Sequence, residues 1–97
     1  MDVDLNNVEV TDNAGENRFE ASVKGQMAVL DYQQRKGELV LTHTEVPSAA
    51  RGQGVGGKIV KAALEEARSR GLQVVPRCPF VGRYIEEHPE YEALVAQ

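Results

Sequence analysis

The spacing of apolar residues changes period once along this chain, and the change falls at a glycine-rich loop. Before Pro47 the pattern alternates, with Phe19, Ala21 and Val23 set between Arg18, Glu20, Ser22 and Lys24. A period of two belongs to half-buried strands. After Gly54 the apolar residues are Val55, Ile59, Val60, Ala62, Ala63, Leu64 and Ala67. Spacings of three and four put most of them on one face of a helix. A chain that is strand first and helix afterwards buries the helix stripe on one face of a sheet, and the loop at the switch joins a strand end to a helix start.

The strands can be placed from their turns. Val8 and Val10 suggest a short first strand, and Asn13-Ala14-Gly15 a turn. The alternating strand around Phe19 to Val23 runs into the tight turn Lys24-Gly25-Gln26, then Met27 to Tyr32, the turn Arg35-Lys36-Gly37, and the strand Glu38 to Val46 stopped by Pro47. Strands joined by such short turns form an antiparallel meander. The main helix is expected from Gly54 to Arg70, with Gly71 as its C-terminal cap signal. Leu72 to Cys78 reads as a further strand, and strand, helix, strand implies a parallel pairing. Val81 to His88 suits a short helix ended by Pro89, and Tyr91 to Gln97 a last helical turn or two. The expected class is α+β, an antiparallel sheet with one main helix and a short helical tail. With 97 residues, one domain over 1–97 is the natural reading.

Charge bears on partners. The formal net charge is −4, which speaks against a nucleic-acid partner. Residues 1–20 hold Asp2, Asp4, Glu9, Asp12, Glu16 and Glu20 against Arg18, whereas 51–61 hold Arg51, Lys58 and Lys61 and no acid. An acidic chain that clears acids from one segment makes a local site for an anion. Cys78 is the single cysteine, so no internal disulfide is possible. The start Met1-Asp2-Val3-Asp4 is acidic where a signal peptide is basic, and no apolar run approaches the ~20 residues of a membrane span. A cytoplasmic protein with no membrane partner and no metal is the expectation.

The segment Val46 to Lys58 carries the anion site. Free N–H groups and a partial positive charge mark a helix N-terminus, and glycines let a phosphate approach that backbone closely. Gly52, Gly54, Gly56 and Gly57 precede or open the helix, and no Asp or Glu stands in its first turn. Three templates fit the glycines. Gly52-x-Gly54-x-x-Gly57 matches a dinucleotide fingerprint, but the acid required about 20 residues on is missing, since none lies between Glu66 and Glu86. Gly52 to Gly57-Lys58 matches most of a P-loop, but Ile59 stands where Ser or Thr must hold magnesium. The third template is Arg-x-x-Gly-x-Gly, filled by Arg51, Gly54 and Gly56.

That third pattern resembles the acetyl-coenzyme A pyrophosphate loop of the GNAT acetyltransferase superfamily. His43-Thr44-Glu45-Val46-Pro47, the Arg51 to Gly56 loop, Pro76-x-Cys78-Pro79-Phe80 and Tyr84-Ile85-x-x-His88-Pro89-Glu90-Tyr91 resemble, in that order, short stand-alone GNAT-like proteins of roughly one hundred residues, over about 17–95. The resemblance implies a GNAT-like fold, acetyl-CoA as cofactor and an amine as acceptor. It implies pyrophosphate on residues 51–56, with Arg51, Gly52, Gln53, Gly54, Val55, Gly56, Gly57 and Lys58 around it, and Val46 backbone groups against the pantetheine arm. Typical members carry two helices after the first strand, which wall the acceptor site. Here residues 11–26 leave room only for a turn.

Acetyl transfer to an amine requires a base, because a lysine ammonium with pKa ~10.4 has no lone pair. The thioester oxygen needs N–H donors and the leaving thiolate needs a proton. Glu45 and His43 share one side of a strand, with Thr44 on the other, and each is a candidate base or a solvated polar residue. In the GNAT layout Cys78 ends the strand beside the thioester, as proton donor, polar contact, acetyl acceptor or a small buried apolar residue. Tyr84 falls where many GNAT enzymes carry the tyrosine that protonates the CoA thiolate, or else packs as a helical aromatic. Two readings follow: an N-acetyltransferase working by direct attack on the thioester, or a CoA-binding or protein-interaction module with little catalysis.

Overall fold

The computed structural model describes residues 4–96; the acidic start Met1-Asp2-Val3 and the terminal Gln97 lie outside them. Five strands form one sheet in sequence order: β1 (Val10–Asn13), β2 (Arg18–Val23), β3 (Gln26–Arg35), β4 (Glu38–Glu45) and β5 (Gln73–Pro76). The first four are antiparallel, and β5 runs parallel to β4, with Glu38 opposite Gln73 and Leu41 opposite Pro76. Helix α1 (Val55–Ser69) makes the crossover between β4 and β5, and α2 (Pro79–Glu87) follows β5. The expected α+β, GNAT-like arrangement with a parallel-paired strand after the main helix is the observed one. No helix among the described residues is long and apolar enough to cross a membrane.

Local chemistry sets the ends of these elements. Lys24 and Gly25, both with positive φ, turn β2 into β3, the geometry that matches strand twist in a tight hairpin. Helix α1 ends as its sequence signals: Gly71 is left-handed, its N–H donates to Arg68, and Leu72 N–H donates to Ala67 at 2.9 Å. The core lies between α1 and one sheet face. Val55, Ile59, Val60, Ala63, Leu64 and Ala67 meet Phe19, Ala21, Ala28, Leu30, Leu41 and Val74, all buried. Fully burying a side chain such as Ile59 or Leu64 stabilises the fold by about 1.5–3 kcal/mol.

Several boundaries differ from the sequence reading: β3 runs on to Arg35, β4 stops at Glu45, and β5 stops at Pro76, so that Cys78 does not end a strand but caps α2. Val8 closes a 3-10 turn (Leu5–Asn7) and does not belong to β1. Helix α2 begins at Pro79 instead of Val81, because proline suits a first helical position, where no N–H is required. The tail is a 3-10 helix (Pro89–Leu94), after which Val95 bridges Val74 in parallel.

The register holds one irregularity. Tyr32 pairs with Leu41 but Asp31 pairs with His43, so Thr42 is an extra residue in β4, and its hydroxyl donates to the Asp31 carbonyl at 3.1 Å. A bulge reverses which face the following residues take. Leu41 and Thr44 both point to the helix side, opposite Tyr32 and Leu30, and His43 and Glu45 point to the open side, opposite Asp31 and Val29.

Candidate active site at the helix start

A groove of about 670 Å³ lies where β4 outlasts its neighbour. Pairing between β4 and β5 ends at Leu41 and Pro76, and the N–H groups of Arg77 and Cys78 both turn to the Leu41 carbonyl. Beyond that point Thr42–Glu45 have β3 on one side and an open gap on the other. The groove is lined on the strand side by His43, Thr44, Glu45 and Val46. Its other walls are Ala50 to Gly52, Gly54 to Gly57, and Phe80.

Geometry equips the helix end of this groove for an anion. Gly54 caps α1 with φ 88°, a left-handed conformation that favours glycine. Its carbonyl accepts from Lys58 N–H, so the amides of the first turn point out of the helix without intrahelical acceptors. No acid stands in that turn. Arg51 borders the groove with Nε donating to the Val46 carbonyl at 2.9 Å. That bond ties the loop to the end of β4 and uses one of five guanidinium donors. Gln53 Nε2 donates to the Ala49 carbonyl at 3.2 Å. Lys58 donates to the Leu5 carbonyl, and the Leu5 side chain packs so closely on Gly54 that an added Cβ there would fall 2.9 Å from Leu5 Cδ1.

In the gap, Cys78 caps the start of α2 and its Sγ lies 3.4 Å from Thr44 Oγ1. Burial pushes the thiol pKa up, but hydrogen bonds from the Thr44 side chain and from the backbone of Val81, Phe80 and Thr44 outweigh it and hold the thiol below its ordinary value. His43 and Glu45 stand at the open rim, Nε2 to Oε2 3.8 Å, with side chains 61% and 70% exposed.

The structure thus gathers His43, Glu45, Val46, Arg51, Gly52, Gly54, Val55, Gly56 and Gly57 on one groove. Cys78 reaches it through Thr44. Gln53, Lys58 and Tyr84 do not line it. Lys58 faces the N-terminal turn, and the Tyr84 ring stacks on His88 at 3.9 Å between centroids. Burial, then the charges of Glu90 and Glu65, push the Tyr84 phenol up. His88 Nδ1 donates to the Tyr84 carbonyl at 2.8 Å. Sequence reasoning missed Thr44, Phe80 and Leu5. Thr44 had a legible signal, since it faces away from His43 and Glu45. Phe80 stood in a motif without a role, and Leu5 is a lone apolar residue in a polar stretch.

A family model described as GCN5-related N-acetyl-transferase matches residues 18–94. Among curated relatives, Protein NATD1 of Gallus gallus is 39% identical over 49 residues, 50% of this chain and 44% of that protein. Protein NATD1 of Homo sapiens is 39% identical over 49 residues, 50% of this chain and 43% of that protein. The match therefore spans less than half the length of those relatives. A solution structure of a GCN5-like protein from Staphylococcus aureus superimposes with a TM-score of 0.73 at 30% identity, covering 93% of this chain and 89% of that one.

Proposed function

Since the chain belongs to the GCN5-related N-acetyltransferase family, whose members generally use acetyl-CoA and an amine acceptor, we propose that it binds acetyl-CoA in this groove and transfers the acetyl group to an amine by direct attack on the thioester. One observation carries the reading: the groove runs without a break from an acid-free helix start to the gap beside β4. Pyrophosphate sits on the amides of residues 51–56, with the terminal nitrogens of Arg51 on a phosphate. The pantetheine arm follows Val46, and the thioester lies in the gap beside Thr44, whose hydroxyl contacts Cys78. Glu45, on the open side, takes the proton of the incoming amine directly or through water, with His43 beside it. Cys78, hydrogen-bonded to Thr44, supplies the proton to the leaving thiolate in this reading, and Tyr84, whose ring edge packs beside Gly57, is the other candidate donor. The cell compartment proposed is the cytoplasm.

A second reading is favoured by one specific observation. Only the 3-10 turn Ala14–Glu16 separates β1 from β2, where the resemblance leads one to expect two helices, so among the described residues no such helix walls the acceptor side. A CoA-binding or protein-interaction module needs no such wall. Thiol release from acetyl-CoA with polyamines, peptides and lysine-bearing proteins decides between them. Turnover above background supports the transferase; background rates across the panel with CoA still bound support the module. Calorimetry tests the cofactor part. Losing a charge-assisted phosphate contact in Arg51→Ala weakens CoA by roughly ten- to a hundredfold, and equal affinity contradicts the proposed role of Arg51.

A further inference from the structure

The loop, the helix start and Arg51 would accept any pyrophosphate, and none of their chemistry separates CoA from another nucleotide. We infer that Phe80 makes that distinction: its ring is the surface that reads the pantetheine arm, and through it the site selects coenzyme A over nucleoside diphosphates. This rests on the cofactor reading above.

The apolar walls along the arm's route are Val46, Ala50, Val55 and Phe80. Ala50 and Val55 are each 1% exposed and have little surface left to cover, whereas Phe80 is 41% exposed. Met27 is the other large exposed hydrophobic among the described residues, and it lies away from the groove, at the β2–β3 hairpin. The Phe80 ring is seated by construction. Residue 80 is the second of α2, directly after the Cys78 cap, so the helix that fixes Cys78 in the gap also fixes the ring. Across the groove the ring rests on Gly56. A Cβ at Gly56 would lie 2.8 Å from Phe80 Cζ, 3.1 Å from Cε2 and 3.4 Å from Val46 Cγ2. Gly56 has no positive φ, so its backbone does not call for glycine; the ring does. A ring packed on Gly56, one of the residues proposed to hold pyrophosphate, meets the arm as soon as it leaves the phosphates. Covering exposed aromatic surface is favourable in proportion to the area removed from water.

The test is calorimetry with CoA and with 3′-phospho-ADP, which is CoA without its arm. Phe80→Ala is expected to weaken CoA about tenfold and to leave 3′-phospho-ADP within about twofold, well inside the tenfold that 1.4 kcal/mol represents. Gly56→Ala keeps the ring and displaces it; because Gly56 also belongs to the phosphate loop, it weakens both ligands but CoA more than 3′-phospho-ADP. In Phe80→Ala/Gly56→Ala the second change costs CoA no more than it costs 3′-phospho-ADP, because the methyl then has room. Equal losses for both ligands in Phe80→Ala, unchanged CoA affinity in Phe80→Ala, or additive losses of the preference for CoA in the double variant overturn the inference. If the wild type binds 3′-phospho-ADP as tightly as CoA, the inference fails while the cofactor site stands. If the wild type binds neither, the cofactor reading fails and takes this inference with it.

Discussion

The two sides of β4 differ in how firmly they are built. On the helix side, Leu30, Leu41, Ile59 and Leu64 are fully buried, Gly54 is locked under Leu5, and Arg51 is tied to Val46. On the open side, His43 and Glu45 stand 61% and 70% exposed with a loose 3.8 Å contact. A binding site needs its N–H groups fixed before the ligand arrives, and the packed side supplies that. An acceptor site made only of these two solvated side chains would hold no amine in place, and a catalyst gains much of its rate from such holding. On the proposed reading the comparison makes CoA affinity and acetyl transfer separable: the first would rest on the packed side, and the second on what covers the open face.

The largest expected effects break the two sides apart chemically. Cys78→Ala and Glu45→Gln should each lower the acetylation rate by ~100- to 10,000-fold while CoA affinity stays nearly unchanged, since groups acting only in the transition state reduce turnover and not ground-state binding. Thiol-release kinetics beside calorimetry gives both readouts. A parallel fall in affinity would place these residues in binding instead. Direct attack also predicts no acetyl adduct on Cys78 when the protein is mixed with acetyl-CoA, which intact-protein mass spectrometry reads.

Stability should divide along the same line. Leu64→Ala opens a cavity under the helix and should cost ~2–5 kcal/mol, a large share of the ~5–15 kcal/mol typical of a folded protein. Met27→Ala, an exposed position on the hairpin, should stay within ~0.5 kcal/mol. Urea unfolding of the two variants checks the contrast, and similar losses would mean that the open face is covered in solution.

A smaller, pH-dependent effect comes from the phenols bound on the packed side. Burial and the 2.6 Å bond that Tyr32 donates to Asp12 push the Tyr32 phenol up to about 12. The bond from Tyr91 to Glu65, then burial, push the Tyr91 phenol up to about 12. Both values lie above the ~10 of an unfolded tyrosine, so the fold favours the neutral form. Their stabilisation is complete below about pH 10 and is lost as pH rises towards about 12. Urea midpoints across that window should fall for the wild type and fall less for Tyr91→Phe. An equal fall in Tyr91→Phe would contradict the assignment.

Much of this was legible from sequence because it rests on local chemistry. The change of period at Pro47, the cap at Gly71 and the acid-free first turn of α1 each follow from residue type alone. The bulge at Thr42 was not legible. Uninterrupted alternation would set His43 and Glu45 on the same face as Leu39 and Leu41; one extra residue reverses them, and no residue type demands it there. Long-range contacts were hidden for a different reason. No spacing in the sequence shows that Lys58 donates to the Leu5 carbonyl, and Gly56 reads as a loop glycine until Phe80 arrives from α2.

The claim at the centre is that the helix start holds the cofactor. Titrating CoA into isotopically labelled protein while following backbone amide resonances tests it directly. The account predicts that the largest shifts fall on residues 51–57, with smaller ones at Thr44, Val46 and Phe80 and almost none on β1 and the β2–β3 turn. Shifts centred on the open sheet face, or no saturable shifts at residues 51–57, would contradict it.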